Sequence, residues 1–457
     1  MFKKLVNGCN NLVNKYLPDA YIFAVIMTVG VLIMGVVLTG QSPLVMIDHW
    51  GNGFWSLITF TMQITMLIVT GFILGDTDIV KKFLNKIAGI PKTPRAAIFF
   101  ITFVSFFAFY LNSGLALIVG PILAKAIAKN VKGVDYRLLV ASGYINAMSL
   151  QGGLTGAIAL KLASGGESLI IESGGILANA IPMTNTVFTW WNILLQLLLL
   201  LVIPTVNMFM HPSPDKVITI DPELLKDDEV IVEKIDKSKL TPAERMENSS
   251  ILNYSIGIIG LIYVGRVLIV GGISKTFEFN TINLLCLFLA IVLHKTPKRF
   301  LDSVLRSARS AIGILVQFPF YAGVMGMMVG ANSAGVSVAG ILSNAFISIS
   351  TTGTFPIILF LSAGLINFLI PSGGGHWAVL GPIMMPAGVA LGLNPALIAM
   401  IIAYGGAWTD GIQPFWALPS LGIAKLGVRD IMGYCVVNVL IAGVLMMAVF
   451  TIAALVV

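Results

Sequence analysis

The residues with chemistry to offer in this sequence are few, and they interrupt long apolar runs. Asn112-Ser113-Gly114 breaks one run, and Pro371-Ser372-Gly373-Gly374-Gly375-His376 breaks another. Ser149 and Gln151 stand beside Gly152-Gly153 in a third, and Thr409, Asp410 and Gln413 follow Gly405-Gly406 in a fourth. Hydroxyls and amides beside glycine-rich backbone supply hydrogen-bond donors and acceptors. A helix that starts at such a break adds free N–H groups and partial positive charge, which suits a carboxylate. Carbonyls freed at the same breaks suit a small cation. Asn112, Ser113, Gly114, Gln151, Ser372, Gly373, Gly374, Gly375, His376, Thr409 and Gln413 are therefore candidate substrate-binding residues. Asp410 and Ser149 are candidates for ion coupling; Asp410 is the one carboxylate deep in the last third of the chain. His376 is the only histidine within an apolar run. Ser149 and Thr409 have a second reading, a bond back to their own helix carbonyls. No HExxH, Walker or GxSxG pattern is present, so the chain is not expected to be an enzyme. Nothing in the spacing supports Ser113 and His376 as nucleophile and base. No metal-ligand or cofactor motif accompanies them. Cys9, Cys286 and Cys435 are too scattered for a disulfide framework or a zinc site.

The elements that position these residues must be membrane helices. Of 457 residues, 57% are hydrophobic and only 11% are charged, against about 25% charged in ordinary soluble domains. Mean hydropathy is +0.93. Such a chain cannot cover a soluble surface, which excludes a soluble enzyme, a coiled coil and a disordered protein. The net charge of +7 lies in short clusters between apolar runs, a topology signal and not a nucleic-acid footprint. The apolar runs are Tyr21–Gly40, Gly53–Gly75, Ala96–Ala128, Tyr136–Leu162, Thr186–Met210, Ile251–Gly272, Thr281–Leu293, Ala311–Gly330, Phe355–Leu393, Pro395–Ala424 and Ile431–Val457. Most approach the roughly 20 residues that a crossing helix needs.

Basic residues set the sidedness. Lys3, Lys4 and Lys15 precede the first run, and Lys81, Lys82, Lys86, Lys92 and Arg95 follow the second. The positive-inside rule puts both in the cytoplasm. Lys125, Lys129, Lys132 and Arg137 follow the run 96–128 and belong on the same side. A run with both ends inside is expected to be two half-depth helices, a re-entrant hairpin turning at Asn112-Ser113-Gly114. Alternation carries the scheme to nine crossings, with a second hairpin over 355–393 that enters from the opposite face. Residues 211–250 carry ten acidic and six basic side chains and read as a cytoplasmic linker between two halves, 1–210 and 251–457. Lys161 and Arg266 fall near run ends and are expected to snorkel. Trp190 and Trp191 read as an interfacial belt.

The halves match. Ser113-Gly114 then Gly120-Pro121-Ile122 parallels Ser372-Gly373 then Gly381-Pro382-Ile383, and Tyr144 with Ala147-Met148-Ser149 parallels Tyr404 with Ala407-Trp408-Thr409. With hairpins of opposite sense, the repeat is inverted, a recurring plan of secondary transporters. Backbone breaks in a bilayer are tolerated only where protein or a water-filled cavity satisfies them. The breaks at 112–114, 151–156, 371–375 and 405–414 are therefore expected to meet in one site. No arginine lies at these breaks, so peptide dipoles, hydroxyls, His376 and a co-transported cation are expected to offset an anion's charge.

Other residues resemble a known family. Tyr16-Leu17-Pro18-Asp19-Ala20-Tyr21-Ile22-Phe23-Ala24, Trp50-Gly51-Asn52-Gly53-Phe54-Trp55, Met62-Gln63 and Val69-Thr70-Gly71 are similar to the bacterial short-chain fatty acid transporters. So are Pro371-Ser372-Gly373-Gly374-Gly375-His376-Trp377, Gly381-Pro382 and Gln413-Pro414-Phe415-Trp416, and the order holds over essentially the whole chain. The resemblance implies uptake of acetate, butyrate and acetoacetate across the inner membrane, coupled to Na+ or H+. It also implies a homodimer with a fixed scaffold and a mobile, elevator-type transport domain. The scaffold would hold 21–40, 53–75, 251–272, 281–293 and 311–330; the mobile part would hold both hairpins with 136–162, 186–210, 395–424 and 431–457. Alternatives are a carrier for dicarboxylates or acylated amino acids and, from other classes, a channel or an intramembrane enzyme.

Overall fold

The computed structural model describes residues 20–226, 240–276, 278–367, 370 and 373–457. Ser372, Pro371, Cys9 and the basic lead-in before the first span lie outside the described residues. Among those described, the fold is all helix with no strand. The principal helices are α1 (Ala20–Thr39), α2 (Pro43–Gly53), α3 (Ile58–Gly75), α4 (Asp78–Ile87), α5 (Pro94–Leu111), α6 (Ser113–Asn130), α7 (Tyr136–Tyr144), α8 (Ala157–Ser164), α9 (Ser168–Glu172) and α10 (Trp190–Phe209). They continue as α11 (Ser250–Thr276), α12 (Phe279–His294), α13 (Pro297–Val329), α14 (Val338–Ile349), α15 (Phe355–Asn367), α16 (Gly373–Ala390), α17 (Pro395–Asp410), α18 (Pro414–Ala424) and α19 (Val428–Val456). A 3₁₀ segment, Ile145–Gly152, follows α7 directly.

Local sequence explains the starts. Thr93-Pro94 and Thr296-Pro297 place a capping hydroxyl before a proline whose missing N–H the first turn does not need. Asn394-Pro395 does the same for α17 with an amide oxygen. Asn112 ends α5 in extended backbone, and its Oδ1 accepts from Leu115 N at 3.0 Å to cap α6. One residue thus terminates one arm and starts the next.

Six helices among the described residues are long and apolar enough to cross a membrane: Ile58–Gly75, Pro94–Leu111, Ser113–Asn130, Trp190–Phe209, Ser250–Gly271 and Val428–Val456. Two of these are the arms of the first hairpin. Each arm has 18 residues, about 27 Å at 1.5 Å per residue, longer than the expected half-depth helices would need. The hydropathy run ended at Ala96 and Ala128, whereas the helices take in the polar residues beyond both ends. Of the other expected crossings, 21–40 is the 20-residue α1, and the rest are broken as expected, shorter, or part of a longer helix. The runs at 136–162 and 395–424 are broken pairs, α7 with α8 and α17 with α18. The run at 281–293 is a 16-residue helix, and 311–330 is the inner end of α13, a 33-residue helix.

The helices pack in two groups. Helices α1, α2, α3, α11, α12 and α13 pack chiefly on one another, and α5 to α8, α10 and α15 to α19 form the second group. The groups meet mainly where α6 lies along α3 and where α16 lies along α13. Glycine permits the first contact. A Cβ on Gly114 would lie 3.0 Å from Phe72 N, and one on Gly75 would lie 3.2 Å from Leu115 and Ile118 carbons. At the end of α3, Asp76 accepts from Lys81 at 2.7 Å, Ser303 at 2.7 Å and Arg306 at 2.5 Å. These bonds tie α3 and α4 to α13.

Element order recurs. A span, a short helix, a two-arm hairpin, a broken helix pair and a long helix run from α3 to α10 and again from α13 to α19. The linker is partly docked. Tyr136 N donates to Ile218 O at 2.8 Å, and Ile218 N donates to Asp135 Oδ2 at 2.9 Å.

Candidate functional site

The described parts of all four breaks come together. Leu154 N donates to Tyr110 O at 2.7 Å, which joins the break after the 3₁₀ segment to the last turn of α5. A Cβ on Gly373, the first residue of α16, would lie 2.5 Å from Gln151 Nε2 and 3.1 Å from the Ala157 methyl. That joins the second hairpin to the same break. Asn367, the last residue of α15, donates through Nδ2 to Asp410 Oδ1 at 2.8 Å and to Thr409 Oγ1 at 3.0 Å. Tyr144 Oη donates to Asp410 O at 2.5 Å and reaches Gln413 O at 3.3 Å. Tyr404 answers from the other half: it donates to Asn192 Oδ1 at 2.6 Å and accepts from Gln196 Nε2 at 2.5 Å. Gln196 also donates to Ser149 O at 3.0 Å, and Asn192 to Gly152 O at 3.1 Å.

The arrangement brings the starts of α6, α8 and α16 and the ends of α5, α15 and α17 to one interior region. Buried amides and hydroxyls satisfy much of the interrupted backbone, as a nonaqueous interior requires. The remaining donors at helix starts and acceptors at helix ends are the chemistry on offer.

The candidates divide by what they touch. Asn112 is 3% exposed and spends its oxygen on the α6 cap, while its Nδ2 faces Cys286 Sγ at 4.0 Å. Ser113 and Gly114 open α6 and are buried against α3. Gln151 Oε1 accepts from Ile158 N at 3.5 Å, and its Nε2 faces Gly373. Gly374 packs close to the rings of Phe60 and Phe318. Gly375 is the third residue of α16 and is buried. Ser149 Oγ donates to Asn146 O at 2.8 Å, and Thr409 Oγ1 donates to Gly364 O at 3.0 Å. Both hydroxyls are committed to backbone. His376 Nε2 donates to Ala363 O at 2.8 Å and ties the two arms of the second hairpin, while Nδ1 is buried with no hydrogen-bond partner and faces Gly406.

Two sequence expectations change. Lys161 does not snorkel. Its side chain is 6% exposed, and its Nζ lies 3.0 Å from Glu172 Oε1 and donates to Ser168 Oγ at 2.7 Å. A cation therefore does sit near the breaks, one turn into α8. Trp190 is exposed as a belt residue would be, but Trp191 is 2% exposed and packs on Phe450.

Several site residues were invisible to spacing: Asn367, Asn192, Gln196, Lys161 and Glu172. Tyr144 and Tyr404 carried a signal, their matched places in the repeat, but not their hydroxyl partners. Cys286 and Cys435 are buried free thiols. No group of three or more His, Cys, Asp or Glu among the described residues could hold a metal ion.

A polytopic helical protein with broken helices meeting in its interior has the build of a membrane transporter, and solved structures share the fold. The Alcanivorax borkumensis YdaH transporter superposes with a TM-score of 0.55 at 13% identity, over 96% of this chain and 98% of its own. The Neisseria gonorrhoeae MtrF structure, described as one of a class of antimetabolite efflux pumps, gives 0.54 at 14% identity over 98% and 97%. The chain belongs to the short-chain fatty acid transporter family, whose pattern matches residues 1–453. Relatives provisionally named short-chain fatty acid transporters occur in Haemophilus influenzae, 40% identical over 95% of this chain and 96% of that protein, and in Escherichia coli K12, 39% identical over 97% and 98%.

Proposed function

We propose that the protein is a secondary active carrier that takes up short-chain monocarboxylates of the acetate, butyrate and acetoacetate class across a bacterial inner membrane. The observation that carries this reading is the meeting of broken helices from both halves at one buried, amide-rich region. Donors at the start of α16, with Gly373, Gly374, Gly375 and Gln151, face the substrate carboxylate; Ser113 at the start of α6 and Ser372, which lies outside the described residues, complete the proposed binding set. His376 sets the spacing of the hairpin arms. A short-chain acid has a pKa near that of Glu and is an anion at neutral pH, so it travels with a cation. Asp410, held by Asn367, takes part in the Na+ or H+ step, with Thr409, Gln413 and the carbonyl ends of α15 and α17 beside it.

The motion is of elevator type. Helices α1, α2, α3, α11, α12 and α13 form the scaffold and carry the homodimer contact; the group holding both hairpins moves. The first hairpin turn lies against Gly71 of α3 and the start of α16 against Phe60, about 16 Å apart at 1.5 Å per residue. Helix α3 thus offers one continuous surface to both hairpins. The basic clusters, by the positive-inside rule, support a cytoplasmic N-terminus and linker.

Uptake of labelled acetate, butyrate and acetoacetate into proteoliposomes under imposed Na+ or H+ gradients tests the reading. Saturable accumulation that follows one gradient is the expected result. Flux without saturation, or none of the three accumulating, would sink it.

A further inference from the structure

Glu172, on a short helix outside the four breaks, is 0% exposed. Its Oε2 accepts from Trp377 Nε1 of α16 at 2.9 Å. Its Oε1 faces Lys161 Nζ at 3.0 Å as an ion pair, without an aligned hydrogen bond. Among the described residues Lys161 is the only Lys or Arg in the buried set. An ammonium has three donors. One goes to Ser168 and one side of the group meets Glu172. The remaining side lies over the Phe60 ring, 5.1 Å from its centroid.

Phe60 lies against the start of α16. A Cβ on Gly374 would lie 2.8 Å from Phe60 Cζ and 2.8 Å from Phe318 Cε2. Helix α8 begins at Ala157 against Gly373, and Lys161 is one turn further on. The weakly held face of the ammonium therefore lies one aromatic ring from the glycines at the start of α16. A ring face is a poorer partner for a cation than a carboxylate, which makes a charge-assisted hydrogen bond.

We propose that Lys161 is a substrate-binding residue: its ammonium takes the carboxylate of the short-chain acid in place of the Phe60 ring, and Glu172 with Ser168 positions it. This rests on the carrier function proposed above. Glu172 has a second task. By holding Trp377 and packing its backbone on Gly381, it fixes the arm that carries the tip glycines. Arrival of an anion would bring the start of α16, α8 and Phe60 of α3 to one charge, which makes the ion pair a sensor of occupancy at the boundary between the two helix groups.

The test measures half-saturation for butyrate in proteoliposome uptake, with butyrate-dependent thermal stabilisation in detergent as a second reading. Lys161→Met with Glu172→Gln removes both charges and leaves neither one orphaned. If Lys161 binds the carboxylate, the double variant keeps a half-saturation about ten- to a hundredfold above wild type. If the pair only braces the fold, the double variant binds butyrate as wild type does, and the proposal is overturned. Glu172→Gln alone keeps an acceptor for Trp377 and decides the matter should the double variant not accumulate. An unshared ammonium should bind butyrate several-fold more tightly; an unchanged or raised half-saturation would overturn the proposal. Wild-type protein that takes up no short-chain acid would instead refute the carrier reading.

Discussion

The two broken helix pairs use one device with opposite polarity. Tyr144, at the end of α7, reaches into the second half and donates to the backbone of Asp410 and Gln413. Tyr404, in the equivalent place on α17, reaches into the first half and joins Asn192 and Gln196 beside Gly152. Each half thus holds the other's break with a phenol. The surroundings differ. The first break is lined with neutral amides, and the position matching Asp410 is Leu150. The second holds a carboxylate with one amide donor, Asn367. The first break, a 3₁₀ segment, therefore presents neutral amides where the second, at the end of an α-helix, presents a carboxylate. An anion and a cation can be held close together without sharing ligands.

The largest effect should come from filling the tightest point of this exchange. A Cβ on Gly152 would overlap Tyr404 Oη and the Gln196 amide. The matching residue of the second half is Ile412, so only the first break demands glycine at this position. Gly152→Ala should abolish uptake and destabilise the protein by about 3 kcal/mol, the upper range for overpacking, read as a fall in Tm in detergent. Adding Tyr404→Phe removes the obstructing hydroxyl and should restore part of both; no recovery would mean that Tyr404 is not what Gly152 accommodates. Ile412→Ala should be mild by comparison.

Asp410→Asn comes next. It preserves shape and removes the charge that distinguishes the second break. Gradient-driven uptake should fall about ten- to a hundredfold, the loss of roughly 1.5–3 kcal/mol of charged hydrogen bonding, and its dependence on Na+ or pH gradient should flatten. Asp410→Asn with normal, gradient-sensitive uptake would reduce Asp410 to a structural acceptor and erase the polarity difference.

Much of this plan was legible because breaks in apolar runs are visible locally. Asn112-Ser113-Gly114 and the glycines at 373–375 mark helix starts, and Gly-Pro pairs and tyrosines at matched places mark the repeat. What spacing could not supply were partners brought together by the fold. Lys161 read as a run-end lysine because Glu172 lies eleven residues on, past a glycine turn, and Trp377 lies in the other half. Asn367 and Asn192 carried no signal in the spacing, since their acceptors are 43 and 5 or 40 residues away. Hydropathy also missed the polar ends of the first hairpin's arms, because it measures apolar length and not where a helix ends. Ser149 and Thr409 show the converse limit: the hydroxyls match in sequence, yet both bond to backbone.

Tyr144→Phe tests the reciprocal exchange more gently. It leaves the Asp410 carbonyl without the phenol donor while keeping the ring packed. A cost of about 1 kcal/mol in stability is expected, with a several-fold loss of uptake. Tyr404→Phe gives up two side-chain partners in place of backbone ones and should lower Tm further. Equal effects would say that the amide wall adds nothing to what a backbone acceptor provides.

The smallest effect should come from a carboxylate at the opposite extreme from Asp410. Asp76 lies beyond the end of α3, among Lys81, Arg306 and Ser303. Burial pushes its carboxyl up, but the Lys81 bond and charge, with Arg306 and Ser303, outweigh burial and hold it below the usual range. A carboxyl with a lowered folded pKa contributes stability above its unfolded value, about 3.9, and loses it as pH falls through the lower folded one. Arg306 is 55% exposed and Lys81 35%, so solvent screening limits the whole cluster to about 1 kcal/mol. Asp76→Asn should therefore lower Tm slightly at neutral pH and lose that difference from wild type at acid pH, below the folded value. Because its charge is already saturated by cations, the variant should leave the pH dependence of uptake between about pH 5 and 8 unaltered, far above the range in which an Asp of this kind titrates. If it altered that dependence as Asp410→Asn is expected to, the coupling signal would not belong to the interior break, and the contrast between the neutral and acidic walls would lose its functional meaning.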